Sequence, residues 1–256
     1  MCSIILLFRP GHRWPMLVAA NRDEMHDRAW DPPGRHWSDR PEVLAGRDRL
    51  AGGSWLGRND HGVVAAALNR EGSLGPARDK RSRGELVLEA LDHADASSAA
   101  AALAEIDPMS YRTFNIIIAD NSGAFWVSNR TGGGRVLVEA IPEGFTMLTS
   151  GDPNDMAHAR IAAHLPLFRA APVPDPETGE WTAWAEILAM RAYDPVDGPR
   201  GAMCIGTGNG DGFGTVSSSL IALAAPGSNT EDGTADRWLF AAGPPDRTEY
   251  LPVALG

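Results

Sequence analysis

The sequence predicts an α+β protein in which two antiparallel sheets form the inner layers of a four-layer αββα sandwich, with helices on each outer face. Three observations predict it. The elements run strands, two helices, strands, two helices, strands, whereas a βαβ repeat would alternate them singly. Short turn signals at Asn121-Ser122-Gly123 and Thr131–Gly134 join neighbouring strands, and tight turns require antiparallel pairing. The chain also has 256 residues, 43% of them hydrophobic, which is ample for a core; with no internal repeat or linker it reads as a single domain over 1–256.

The elements follow in order. Ser3–Phe8 is a β-favouring apolar run, Pro10-Gly11 breaks it, and Met16–Ala20 returns antiparallel to it. A turn centred near residue 12 sets position 2 opposite a position near 22. Residues 25–50, rich in Arg, Asp, Pro and Trp, read as an irregular loop at the rim of a site. Gly62–Leu68, Phe114–Asp120, Ala124–Asn129, Arg135–Ala140, Phe145–Ser150, Thr215–Leu223 and Trp238–Ala242 supply further strands. Ser82-Arg83-Gly84-Glu85 has the spacing of a capping box that opens a helix to Asp92, and Ala-rich Ser97–Glu105 is its partner. Asp155–Phe168 and Trp181–Ala192 form the second helical pair, with Trp181 and Trp184 as core or rim side chains.

Composition excludes several classes. The net charge of −10 repels phosphate backbones and anionic lipid, so no nucleic acid partner is expected. No apolar run approaches the length of a membrane-spanning helix, so no membrane insertion is expected either. Two cysteines are too few for a disulfide framework and suggest a reducing, cytoplasmic setting. The seven histidines lack ligand spacing, so no metal is expected. Gly206–Gly214 has neither dinucleotide-binding nor Walker spacing and reads as a loop at a site rim. Cys204 reads as a buried small hydrophobe.

Cys2 is the most informative residue for chemistry. Aminopeptidases remove Met before small residues, so the mature chain is expected to begin at Cys2, with thiol and α-amine on one residue. The amine can then act as the base for its own side chain. Across the hairpin stand Asn21, Arg22, Asp23 and Glu24. Asp23 can accept a hydrogen bond from the α-ammonium, Arg22 can stabilise a thiolate or pair with a substrate carboxylate, and Asn21 can donate to an oxyanion. Gly52–Gly57 brings Trp55 as an apolar wall, Asn59 follows, and Asn69 emerges at a strand end as a second amide donor.

Met1-Cys2, Asn21–Glu24, Gly52–Gly57, Ser82-Arg83-Gly84, Phe114-Asn115 and Ser128-Asn129-Arg130 together resemble the NRDE family, the family of transport and Golgi organization protein 2. More distantly, Cys2, Asn21 with Asp23, Asn59 with Gly62, and Leu68-Asn69 resemble cysteine N-terminal-nucleophile (Ntn) hydrolases such as bile salt hydrolase and penicillin V acylase. That resemblance implies an αββα sandwich, Cys2 as nucleophile, Asp23 as its orienting carboxylate, Asn69 as oxyanion donor, and cleavage of non-peptide amide bonds. Residues Asn21, Arg22, Glu24, Trp55 and Asn59 complete the expected site around a small-molecule substrate. Hydrolysis of this kind requires no cofactor.

The sequence departs from the hydrolases at Ala20, where they carry Arg, and at Thr149–Pro153, where they carry Asn and none occurs here before Asn154. It departs from the NRDE family at Val216, where that family has a basic residue after Gly-Thr. A second expectation rests on the NRDE resemblance alone: a non-catalytic carrier that uses the same pocket for haem trafficking or for lipid and acyl-CoA handling.

Overall fold

The computed structural model describes residues 2–73, 75, 77–206, 212–226 and 235–255. Its strands are β1 (Ser3–Phe8), β2 (Met16–Met25), β3 (Trp30–Gly34), β4 (Val43–Asp48), β5 (Leu56–Asn59), β6 (Val64–Asn69), β7 (Phe114–Ala119), β8 (Ala124–Asn129), β9 (Leu137–Ala140), β10 (Gly144–Leu148), β11 (Phe213–Leu223), β12 (Arg237–Ala241) and β13 (Leu251–Pro252). Its α-helices are α1 (Gly84–Leu91), α2 (Ala96–Ala104), α3 (Ala159–Ala170) and α4 (Thr182–Leu188). They form two compact units, residues 1–27 with 143–256 and residues 28–142.

In the first unit a six-stranded antiparallel sheet has the order β10-β1-β2-β11-β12-β13. Ile5, Leu7, Leu17, Ala19 and Leu220 face Ile161, Leu165 and Phe168 of α3 and Trp184 and Leu188 of α4. The alternation of β1 and β2 therefore assigns their odd-numbered positions to the helix-covered face. Trp181 and Trp184 are both core residues, as their helical spacing suggested. In the second unit a seven-stranded antiparallel sheet runs β3-β4-β5-β6-β7-β8-β9 in chain order. Leu86, Val87 and Leu91 of α1 and Ala99, Ala100 and Leu103 of α2 cover one face of it, against Val43, Ala45, Ile116 and Ile118. At the β7–β8 hairpin the Asp120 carboxylate accepts from Ser122 N at 2.7 Å and Gly123 N at 2.8 Å, which fixes the expected turn.

The stretch 25–50 is not the irregular loop that its composition suggested. β2 continues to Met25, and β3 and β4 add two strands to the outer edge of the second sheet. Pro32 and Pro33 lie in β3, an edge strand, where a missing N–H leaves no ladder bond unmade. The Asp and Arg residues of this stretch pair with one another. Asp31 on β3 accepts from Arg49 and from Arg47 Nε at 2.8 Å, and these guanidiniums hold its carboxyl down at about 2. The capping box is not formed. Ser82 Oγ receives Gly84 N at 3.2 Å, and Glu85 turns back to Arg81. The helix instead starts beside a glycine contact, while α2 is capped by Asp95, whose carboxylate accepts Ser98 N at 2.7 Å.

That glycine contact joins two of the sequence motifs. Ser54 N donates to Gly84 O at 3.0 Å, and a Cβ built on Gly53 would stand 2.4 Å from the Gly84 carbonyl carbon. Backbone therefore lies on backbone where the 52–57 segment meets the start of α1. Gly53→Ala cannot be relieved by rotation of a side chain, so the backbones must part. The expected loss is about 1–3 kcal/mol, the usual cost of overpacking, measurable as a lower urea midpoint with unchanged slope. Gly52→Ala, where an added Cβ meets nothing, serves as the comparison and carries only the strain of its φ of +76°.

Candidate active site

The β1–β2 ladder pairs Ser3 with Asn21, so position 2 faces Arg22 as the hairpin register predicted. Cys2 sits immediately before β1, half-buried, with its sulfur 3.8 Å from the main-chain oxygen of Asp23. Burial pushes the thiol pKa up. The charge of the chain terminus opposes that shift, the Asp23 carboxylate adds to it, and the Asp23 carbonyl contact and Arg22 oppose it. Met1 lies outside the described residues.

Asp23 falls on the helix-covered face, and α3 meets it there. Arg160 Nη1 donates to Asp23 Oδ2 at 2.8 Å, and both side chains are wholly removed from solvent. The same nitrogen donates to Ser3 Oγ at 2.8 Å, while Nη2 donates to the Arg200 carbonyl at 2.8 Å. The other carboxylate oxygen accepts from Thr215 Oγ1 at 2.7 Å, and that hydroxyl in turn accepts Ile205 N at 2.8 Å. The carboxylate expected to hold the chain's amine is thus itself held by a guanidinium and a hydroxyl.

Sequence reasoning missed Arg160. A signal was present, because Arg160 occupies the same buried helix face as Ile161, His164, Leu165 and Phe168, where an apolar residue belongs. An arginine at such a position requires a buried partner. The late Gly-Thr-Val element is explained by the same network. Thr215 opposes Asp23 and Ser217 opposes Arg22, so Val216 is the extra residue of a β-bulge.

The remaining site residues are distributed as follows. Asn21 spends both amide hydrogens on main-chain carbonyls, Leu188 O and Met203 O, each at 2.9 Å. It ties the end of α4 to β2, and this removes the donors that an oxyanion role requires. Arg22 is buried and Glu24 half-buried, with Glu24 Oε1 accepting Met25 N at 2.9 Å. Asn154 takes no place in the site: at φ +56° it accepts Met147 N and donates to Phe145 O, pinning β10.

Trp55, Asn59 and Asn69 belong to the second unit. Trp55 lies across Gly46 and meets the edge of Trp30 with ring centroids 5.7 Å apart, so it serves packing there. Asn59 donates to Leu91 O and His93 O at the end of α1 and accepts from His61 N and Val63 N. Both donors are occupied at the end of α1 and the acceptor in the turn that follows β5, so the expected substrate contact gives way to a structural clasp. Asn69 closes β6 opposite Phe114 and is half-buried. Cys204 is buried as expected, with its thiol against Asp246 Oδ1 at 3.4 Å; burial, then Asp246, pushes it up to about 11.

Removing Arg160 strands a buried carboxylate, whereas removing both charges does not. Arg160→Met is expected to cost about 3–5 kcal/mol and Arg160→Met with Asp23→Asn distinctly less. Denaturant titration of the single and double variants measures the coupling.

A family model described as Transport and Golgi organisation 2 matches residues 1–170. The Transport and Golgi organization 2 homolog of Mus musculus is 34% identical over 131 residues, 48% of this chain and 46% of that protein. The homolog of Homo sapiens is 34% identical over 133 residues, 48% and 47% of the two chains. The match thus spans about half the length of these curated relatives. Among solved structures, the Caenorhabditis elegans N-acylethanolamine-hydrolyzing acid amidase ortholog superposes with a TM-score of 0.56 at 14% identity, over 92% of this chain and 98% of that one. The C2A mutant of conjugated bile acid hydrolase from Clostridium perfringens gives 0.52 at 13% identity, over 99% and 97%. These likenesses show the α+β fold class that the element order predicted. The family model spans the residues that carry Cys2 and Asn21–Glu24, and the chain belongs to the Transport and Golgi organisation 2 family.

Proposed function

We propose that the chain is a hydrolase of non-peptide amide bonds that uses Cys2 as its N-terminal nucleophile. The observation that carries this reading is the seat of the Cys2 sulfur, 3.8 Å from the Asp23 carbonyl and beside the buried cation of Arg22. The fold adds support, since two of its solved relatives are named as an acid amidase and a conjugated bile acid hydrolase.

Once Met1 is removed, the α-amine of Cys2 takes the thiol proton. The thiolate attacks the amide carbonyl carbon, and a tetrahedral oxyanion forms as the C–S bond is made. The ammonium returns its proton to the leaving nitrogen, the C–N bond breaks, and an amine departs from a thioester. Water then cleaves the thioester, releasing the acid and restoring the thiol. In this scheme Asp23, anchored by Arg160, fixes the local backbone and the field around the sulfur.

Intact-protein mass spectrometry tests the reading. The expected outcome is loss of Met1 and a single acyl adduct with an amide or lactone probe, absent from Cys2→Ala. A processed chain that forms no adduct and turns over no amide in an acyl-amide library contradicts hydrolysis. Saturable haem absorbance changes without an adduct would assign the pocket to carriage instead.

The Cys2 pKa supplies a pH test. A thiol pushed upward by burial is protonated, and so unreactive, until the pH passes its ordinary range. A chain kept blocked by an N-terminal extension is expected to alkylate at Cys2 with a midpoint above that of an unperturbed cysteine. The processed chain, with an ammonium on the same residue, is expected to show a lower midpoint. Iodoacetamide rates against pH, read by peptide mass, measure both.

A further inference from the structure

The second unit contains a cavity of about 440 Å³ that the amidase chemistry does not use. Its walls come from three places in the unit, namely Gly72, Ser73 and Lys80, the stretch around Tyr111, and residues 129–134. Lys80, Arg112 and Arg130 all line it, and none of its described lining residues is a carboxylate. In a chain of net charge −10 that composition is unusual, and it selects for an anion.

The cations are held where they stand. Arg112 Nη2 donates to Gly72 O at 3.0 Å, the Arg130 guanidinium lies 4.9 Å from the centroid of the Trp126 ring, and Lys80 Nζ donates to Met109 O. Gly132 and Gly134 among the lining residues leave open space, since a Cβ at either would meet nothing. A second, independent feature also points to a ligand. The Tyr111 hydroxyl belongs to a lining residue only 3% exposed and has no hydrogen-bond partner among the described residues. Its ring is fixed by Arg81 stacked 5.3 Å from its centroid and by the edge of Phe114. Burial raises its pKa, so it remains a donor across the physiological range. An unpaired buried donor is costly, and an anionic oxygen would satisfy it.

We propose that this cavity binds the phosphate group of a small phosphorylated molecule through Lys80, Arg112, Arg130 and the Tyr111 hydroxyl. A lone carboxylate is satisfied by one guanidinium fork, whereas three cations and a hydroxyl donor match a dianion with three acceptor oxygens. The volume lies within the range of small-molecule sites, about 300–1,000 Å³, and leaves room for a group beyond the phosphate.

The test is thermal unfolding and calorimetry of the full chain at constant ionic strength of about 0.15 M, with inorganic phosphate, glycerol phosphate and acetate as probes and chloride as the control. Saturable stabilisation by glycerol phosphate, more tightly than by inorganic phosphate, is expected for a phosphate ester; the reverse order identifies free phosphate as the ligand. Acetate is expected to do nothing beyond chloride. Lys80→Glu or Tyr111→Phe is expected to weaken binding at least tenfold while Cys2 alkylation stays unchanged; Tyr111→Phe removes only an unsatisfied hydroxyl and so keeps the fold. Loss in either folded variant supports the site. No saturable phosphate binding at millimolar concentration, binding unchanged in both variants, or acetate binding as tightly as phosphate overturns it.

Discussion

Strands β1, β2 and β11, helix α3 and the Arg200 carbonyl meet at the ion pair between Arg160 and Asp23, and their arrangement depends on it. A carboxylate and a guanidinium removed together from water must satisfy one another and use their remaining hydrogen-bonding capacity nearby. Arg160 does so by reaching Ser3 on β1 and the Arg200 carbonyl, and Asp23 by accepting from Thr215 on β11. Helix α3 is thereby locked to the three central strands of its sheet at the end where Cys2 begins. Replacing the pair with apolar side chains of similar volume could serve stability as well. Its specific effect is geometric, because charge and fork-shaped donors set the height and rotation of one helix against one strand.

The two halves of the family signature follow different physical logic. In the first unit Asn21 to Asp23 are consecutive residues of one strand, yet their side chains alternate. Asn21 and Asp23 are committed to the covered face, and Arg22 lies between them at the register position of Cys2. In the second unit the glycines at 53 and 84, together with Asn59, seat helix α1 on its sheet. Asn115 belongs to that architecture as well, accepting from Arg70 at 2.8 Å and from the Trp126 indole at 3.0 Å while fully buried. A signature residue is therefore not by that fact a reacting one.

Much of the fold was legible because it rests on local rules. Apolar runs with turn residues between them gave the central strands of both sheets, and the Ala-rich and Trp-bearing segments gave the helices to within a few residues. The hairpin register carried furthest, since a loop length sets which residue faces Cys2. Edge strand β3 and its inner neighbour β4 were hidden by the prolines of β3 and by charges that satisfy one another, a solution that composition cannot distinguish from solvated loop. The capping box failed because Glu85 found a nearer cation in Arg81. Arg160 was out of reach of pattern reasoning about the N-terminus, since its partners Ser3 and Asp23 lie far from it along the chain. The roles given to Asn21 and Asn59 needed free amide hydrogens, and only coordinates reveal where those hydrogens are spent.

The first unit is discontinuous, and this bears on how the polypeptide acquires its shape during synthesis. β1 and β2 emerge from the ribosome well before their outer neighbours β10 and β11, which are not made until residues 144 and 213 onward. The N-terminal hairpin must wait with both edges unpaired while residues 28–142, whose sheet order follows chain order, condense through near-neighbour contacts. The order of translation thus leaves the hairpin's ladder groups open to wrong partners until β10 and β11 are made.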